Sequence, residues 1–540
     1  MKKIISVFLC FAMMFSMLAI SASAFTAGGE CNEGDCEYYP TIIIPGLGQS
    51  NVLALDDNGE FIVDSDGNKT AAFPGVMDIG AIIKTAIVPL LLSAVTQSDI
   101  GFSDAVADVI NVIFGINKCD NKAQPSKNVF VEKYPYSLAD CTEEEKAAPY
   151  HHVPLDEFES CYPEDHLYYF SYNSFGNHID TANELYDFIH MVMEQTGHDK
   201  VIISPISQGG SLANALFEYH PDIMDCLAKV LYIVPCLDGS TIIGDAFNDR
   251  IRFLDPEVLY DGFLSTFFDV ETASMIETVL RILPDEVIMK GLEKGVEVLV
   301  NDIMTMSTSM WAMCPSGDYL SAAEKYLSTP ERASIKEQTY KYYQAQLHSD
   351  ENIQKLIDKG VEVLNVAEYD IQMYGVGYSF DKENADGIIQ LDSTSMGAYA
   401  ANVGETLPEG YVQQNTSKNC SDPSHNHISP DRVVDASTAM LPDTTFYFDG
   451  QKHEQTALNS TILKLALKIL ENKITDVYSD PDFPQFTTCA PYPAPEEGFF
   501  TKLSDWLFDN YGSNGFSEMP AITVTKAVTF VASAIKGLFE

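Results

Sequence analysis

The apolar positions along the chain form two kinds of run. Thr41-Ile42-Ile43-Ile44 is continuous and β-branched, as a parallel strand covered on both faces requires. It breaks off at Pro45-Gly46-Leu47-Gly48. Leu167–Ser171, Val201-Ile202-Ile203 and Val230–Val234 predict further strands. Between them Ile179, Ala182, Leu185, Tyr186, Ile189, Val192 and Met193 recur at helical spacing and close at Gly197. Ser211–Tyr219 predicts a second helix. Strand alternating with helix predicts an α/β fold: a mostly parallel central sheet with right-handed crossovers.

The alternation stops near residue 245. From there to about 365 the pattern is helical and rich in methionine, with Met275, Met289, Met304, Met306, Met310 and Met313. Strands resume at Ile371–Gly375 and Thr445–Phe448, and Thr456–Leu470 is amphipathic. Residues 52–165 read as an insertion. They hold a small hairpin around Phe61-Ile62-Val63, apolar helices over Ile79–Val95 and Ala105–Phe114, and an acidic irregular stretch with three cysteines. The acidic clusters Asp56–Gly59 and Asp64–Asn68 are turn chemistry, since the rest of a calcium loop is missing. The predicted layout is a leader 1–24, a sheet domain in two parts (25–244 and 366–498), a helical cap 245–365 and a helical extension 499–540.

Composition narrows the function. A chain of 540 residues, 46% hydrophobic and 20% charged, has ample material for a large core and excludes a rod or a mostly disordered chain. Its formal charge of −46 disfavours phosphate backbones and anionic bilayers, so no nucleic-acid partner is expected. Met1-Lys2-Lys3, the apolar run Ile4–Ile20 and Ser21-Ala22-Ser23-Ala24 read as a secretory signal peptide cleaved after Ala24, predicting a secreted protein without stable membrane insertion. Of 11 cysteines, cleavage removes Cys10, and the remaining even number permits disulfides outside the cell, Cys31 with Cys36 among them.

The chemistry is concentrated at Lys200–Gly210, where a buried strand runs into Ser207, then Gly209 and Gly210, then a helix. A serine hydroxyl attacks a carbonyl only when a base can reach it, so it must project from a tight turn at the strand end. Gly209 supplies the small downstream flank; Pro205 stands where the G-x-S-x-G pattern has glycine. Acyl transfer also needs two N–H donors for the developing oxyanion. Gln208, after the serine, and Leu47, in the glycine-rich loop after the first strand, meet that need. His453 lies just beyond a late strand and before an amphipathic helix. Asp431, in a loop between strands, is the candidate acid, with Asp435 and Asp238 as competitors.

Together these stretches resemble the α/β-hydrolase superfamily, specifically its lipase and lecithin–cholesterol acyltransferase-like branch. The resemblance covers Thr41–Gly48, Tyr168–Pro221, Val230–Ser240 and Pro430–Lys468. It rests on Ile42-Ile43-Ile44-Pro45-Gly46-Leu47-Gly48, Tyr169-Phe170-Ser171-Tyr172-Asn173, Pro235-Cys236-Leu237-Asp238-Gly239-Ser240 and Asp431-Arg432-Val433-Val434-Asp435-Ala436-Ser437. It implies Ser207 as nucleophile, His453 as base, Asp431 as its acid, Leu47 and Gln208 as oxyanion donors, and an ester or lipid substrate without a cofactor. Pro205 and, before the serine, Ile206 depart from the family's glycine and histidine. An alcohol acceptor in place of water, and an inactive binding module, are the alternative functions.

Three weaker signals remain. Ser309–Met313 is a candidate stretch of substrate lining, with Met310 and Trp311 foremost; the alternative is that these side chains form the cap's own core. Cys420, His425, His427 and Asp422 suggest zinc, but their spacing fits no standard site, and the reading preferred is a disulfide with solvated histidines. Ala521–Phe539 is an amphipathic segment capable of transient lipid contact, or of packing on the sheet domain.

Overall fold

A computed structural model describes residues 38–490 other than 64–66, 73–78, 252–269, 282 and 374–381, and also Lys502. The signal segment, the Cys31–Cys36 pairing and the Ala521–Phe539 helix lie outside the described residues.

Seven strands form one sheet: β1 (Thr41–Ile44), β2 (Leu167–Tyr169), β3 (Val201–Pro205), β4 (Leu227–Ile233), β5 (Glu362–Tyr369), β6 (Thr445–Asp449) and β7 (Phe486–Thr488). Their order is β2-β1-β3-β4-β5-β6-β7, and every neighbouring pair is parallel. The chain therefore leaves β1 in one direction for β2 and returns on its other side for β3. That reversal opens a crevice at the carboxyl ends of β1 and β3. The order and the uniform direction make this a doubly wound parallel α/β sheet, as the expected α/β-hydrolase fold requires.

Both sheet faces are covered, which is why the strands carry apolar residues at successive positions. Ile42, Ile44, Val201, Ile203, Val230 and Tyr232 point into one core, against α4 (His178–Thr196) and α5 (Gln208–Tyr219). Ile43, Ile202, Leu231, Ile233, Leu364 and Val366 point into the other, against α12 (Ser460–Leu470). Helix α4 is capped at both ends as its sequence requires. The Asn177 side chain accepts from the Asp180 N–H, and Gly197 takes the left-handed φ of 70° that ends it.

The insertion after β1 contributes a short strand, Val52–Ala54, paired antiparallel with Val129–Val131, and the helices α1 (Ile79–Thr96), α2 (Phe102–Phe114) and α3 (Glu143–His152). Between β4 and β5 lie α6 (Thr241–Phe247), α7 (Val270–Leu280), α8 (Asp285–Val298), α9 (Ser316–Tyr326), α10 (Ala333–Leu347) and α11 (Ser349–Asp358). The two insertions meet where Gly291 and Gly295 of α8 lie against Phe102, Val106 and Ile110 of α2. Tyr342 and Ala345 of α10 and Ile353 and Leu356 of α11 belong to the core beneath the sheet, so the second half of the segment expected as a cap also covers the sheet.

Two expectations are displaced. The helical stretch ends at Asp358, and the sheet strand is Glu362–Tyr369, earlier than Ile371–Gly375. Asn365 and Glu368 interrupt the apolar run and hide the strand, yet both are fully buried. Ile371–Gln372 instead pairs antiparallel with Asn384–Ala385. The eight described cysteines, Cys119 through Cys489, are all unpaired thiols, so the disulfides allowed by the even count are absent among the described residues. No helix among the described residues is long and apolar enough to cross a membrane.

Candidate active site

Ser207 stands between β3 and α5 with φ 51° and ψ −117°, a region that side-chain-bearing residues rarely adopt. The strain is over-determined by close packing. The Ile206 N–H donates to the Ile44 carbonyl, the Ser207 N–H to Ile233, and the Cys236 N–H to the Ser207 carbonyl. A Cβ on Gly209 would lie 2.4 Å from the Ile44 oxygen, and one on Gly210 would lie 2.6 Å from Pro235 Cβ. The two glycines after the serine are thus steric requirements of the turn. Gly46 is another, because a Cβ there would fall 2.8 Å from Ser207 Cβ.

Pro205 sits in the strand opposite Ile44, and the structure shows how it is accommodated. Since the Ser207 N–H reaches the Ile233 carbonyl, the N–H of residue 205 would face Leu231 in a regular parallel ladder. Proline has no N–H. The Ser204 hydroxyl takes its place, donating to the Leu231 carbonyl at 3.1 Å. Ser204 replaces the bond that Pro205 removes, so no orphaned acceptor remains at this point.

His453 begins a 3₁₀ turn after β6. Its Nε2 lies 2.9 Å from Ser207 Oγ, and its Nδ1 lies 2.7 Å from Asp386 Oδ2. The His453 N–H also donates to the Asp386 carbonyl at 2.9 Å, fixing the two residues by main chain as well as side chain. Asp386 is fully buried; its other oxygen accepts from the N–H groups of Ile388 and Ile389 at 2.9 and 2.7 Å. A hydroxyl, an imidazole and a carboxylate are therefore in series at the carboxyl ends of β3, β6 and β5.

Asp431 is not the histidine's partner, contrary to expectation. Its carboxylate accepts from the Tyr369 hydroxyl at 2.8 Å, from the Val433 N–H at 3.0 Å and from Ser429 Oγ. Asp435 is bound by Ser437, Tyr411 and the Gln414 N–H, and Asp238 by the Ser316 N–H. Sequence reading missed Asp386: Asp386-Gly387 is a turn dipeptide in the connection between β5 and β6, but that connection holds many acids and nothing local sets this one apart.

Of the two expected oxyanion donors, Gln208 follows Ser207 directly and Leu47 belongs to the loop whose Gly46 lies against the serine. In the loop after β1 the Gly46 N–H donates to Gln49 Oε1 at 2.6 Å, and the Gly48 N–H to Ser174 Oγ at 3.1 Å, while Leu47 stands between them, partly exposed. Gln208 opens α5, where backbone N–H groups lie outside the helix's own ladder. The Tyr172 hydroxyl, 2.7 Å from the Pro45 carbonyl and 3.2 Å from Gln208 Oε1, ties the loop to the turn. Gln208 Nε2 donates to the Ser174 carbonyl at 3.2 Å.

Met310 and Trp311 do not line an open site. Both are buried among Phe247, Met304, Met306 and Tyr319; the Trp311 indole donates to the Thr305 carbonyl at 3.0 Å, and its ring packs on Phe247. They form the core of the helical insertion, because a large aromatic with a satisfied N–H is most stable there.

A second buried carboxyl, Glu368 on β5, lies beside His453 and Asp386. Burial, with Asp386 nearby, pushes its pKa well up. The Thr456 hydroxyl is 2.8 Å from Glu368 Oε1 and 2.7 Å from the His453 carbonyl. One hydroxyl proton cannot serve both, but a protonated Glu368 donating to Thr456 satisfies both contacts. For His453, burial disfavours the imidazolium, yet the Asp386 carboxylate outweighs it and raises the pKa above the ordinary 6.5.

No family model matches the chain, and no curated protein matches it. Among solved structures it is similar to a chain of the Tle4–Tli4 complex, with 12% identity over 81% of this chain and 99% of that one, at a TM-score of 0.33. It is also similar to a serine hydrolase of the polyaromatic hydrocarbon-degrading bacterium Cycloclasticus zankles, with 12% identity over 55% and 72% of the two chains, at a TM-score of 0.21. Likeness at this level says nothing about the reaction, and the fold stands on its own sheet order.

Proposed function

We propose that this protein is a serine hydrolase of carboxylic esters, acting through an acyl-enzyme on Ser207. One observation carries the reading: Ser207 Oγ, His453 and Asp386 are hydrogen-bonded in series, with the serine on a strained strand-to-helix turn. His453 Nε2 takes the hydroxyl proton as Oγ attacks the ester carbonyl, while Asp386 holds the Nδ1–H tautomer and stabilises the imidazolium. The Leu47 and Gln208 N–H groups receive the oxyanion. The imidazolium then protonates the departing alkoxide. Water, deprotonated by His453, attacks the acyl-enzyme, and the proton returns to Oγ as the acid leaves.

The test is labelling with a fluorophosphonate together with turnover of esters of graded acyl length. Wild-type protein labels and turns over, and Ser207→Ala does neither. Equal labelling of Ser207→Ala would remove the proposal. The acid is decided separately: Asp386→Asn should lower kcat by about 10⁴, through loss of the tautomer, while Asp431→Asn stays within a few-fold of wild type. The reverse ranking would restore Asp431.

A further inference from the structure

At the amino ends of β6 and β7, the opposite end of the strands from the serine, Cys420, His425, His427 and Asp443 bring one ligand atom each to within 4.8 Å of one another. Cys420 Sγ is 3.4 Å from His427 Nε2, 3.9 Å from His425 Nδ1 and 3.8 Å from Asp443 Oδ1. Asp443 Oδ1 is 3.0 Å from His425 Nδ1 and 3.4 Å from His427 Nε2. A tetrahedron of sulfur, nitrogen and oxygen around zinc, with bonds of about 2.0–2.3 Å, has edges of roughly 3.3–3.7 Å. The four atoms already stand near the corners of such a figure. Asp422, the acid that sequence proximity suggested, turns its side chain to the Ser424 N–H instead, and the real fourth partner comes from just before β6. Cys420 is unpaired and His427 is fully buried, so the disulfide and solvated histidines expected from sequence are both replaced.

The proton inventory supplies a second, independent argument. Gln485 Nε2 faces the carbonyls of Pro442 and Thr445, which orients its Oε1 toward His427 Nδ1 at 2.9 Å. An amide oxygen only accepts, so Nδ1 carries a hydrogen and Nε2 is the nitrogen turned to the cluster. Nε2 there faces a carboxylate oxygen and a sulfur, a set of donors that a shared cation, a proton or a metal ion, holds together. A backbone carbonyl, carboxylate or amide holding the far nitrogen is also the usual way a metal-binding imidazole is oriented.

We propose that these four side chains form a structural zinc site. One thiolate and one carboxylate balance the charge of Zn²⁺, and soft sulfur with two imidazoles selects it over magnesium or calcium. Four protein ligands close the coordination sphere, so the metal has no open position for substrate. On binding, the Cys420 thiol releases its proton to solvent. The site ties the stretch 401–433, which has no helix or strand of its own, to the residue just before β6. That strand delivers His453, so the metal would steady its starting point.

The experiment is metal analysis of the purified protein after exposure to zinc and exhaustive dialysis, followed by cobalt substitution. The expected result is one zinc per chain, a thiolate-to-cobalt charge-transfer absorption in the near ultraviolet, and a Tm lowered by chelation. Cys420→Ser and His425→Ala, both at partly exposed positions, should each lower the zinc content at least tenfold and abolish that absorption. His453→Ala should keep one zinc, because the Glu368–Asp386–His453 group is a separate cluster. The proposal is overturned if folded wild-type protein holds less than a tenth of an equivalent. It is also overturned if Cys420→Ser binds zinc like wild type, or if the zinc is lost with His453. A metal-free cluster would be an imidazolium–carboxylate pair.

Discussion

At the scale of single residues, the position of protons decides what the site can do. His453 accepts a proton only when neutral, and Asp386 raises the pH at which that happens. Ester turnover should therefore rise with pH through a limb clearly above 6.5, read from kcat/KM of the free enzyme. A protonated Glu368 brings no charge to His453, so Glu368→Gln, which keeps the size and the Thr456 contact, should leave that limb nearly in place. A wild-type limb at the ordinary histidine value, or one that Glu368→Gln moves far downward, contradicts this account.

At the scale of elements, the turn after β3 depends on a repair within the strand itself. Ser204 supplies the donor that Pro205 withholds from Leu231. Ser204→Ala should cost about 1–3 kcal/mol, because a buried carbonyl loses its partner. Pro205→Gly restores an N–H at the same place. The loss on Ser204→Ala should then shrink in the Pro205→Gly background, as denaturant unfolding of the four variants in a double-mutant cycle would show. Additive losses would mean that the two groups do not share that acceptor. The cycle reads stability alone, so its outcome does not depend on any activity.

At the scale of the molecule, one sheet carries two insertions that pack on each other. The contact between α2 and α8 is close because Gly291 and Gly295 present no side chains, and a Cβ on Gly291 would lie 2.9 Å from the Phe102 ring. Gly291→Val should wedge the helices apart and lower stability by about 1–3 kcal/mol. Fluorophosphonate labelling at low temperature should survive, since Ser207 and His453 directly follow sheet strands and Asp386 is held by His453 and its own turn, none of them in α2 or α8. A variant with unchanged Tm would show that the two insertions are not mutually stabilising.

What the amino-acid sequence determined by itself was local and periodic. Continuous β-branched runs specify strands buried on both faces, helical spacing specifies α4 and α12, and glycines after a strand-end serine specify the turn at Ser207. His453 was legible for the same reason, since it follows directly from the end of a recognisable strand. Tertiary structure alone decided which carboxylate meets His453. Many acidic residues lie between β5 and β6, and spacing does not distinguish Asp386 from Asp431; only the short antiparallel ribbon at 371–372 and 384–385 carries Asp386 back over the sheet. It also decided that Trp311, Met304, Met306, Met310 and Met313 fill a core, and that Asp443 completes the group of Cys420, His425 and His427. In each case the deciding contact joins residues far apart in the chain, and only packing brings them together.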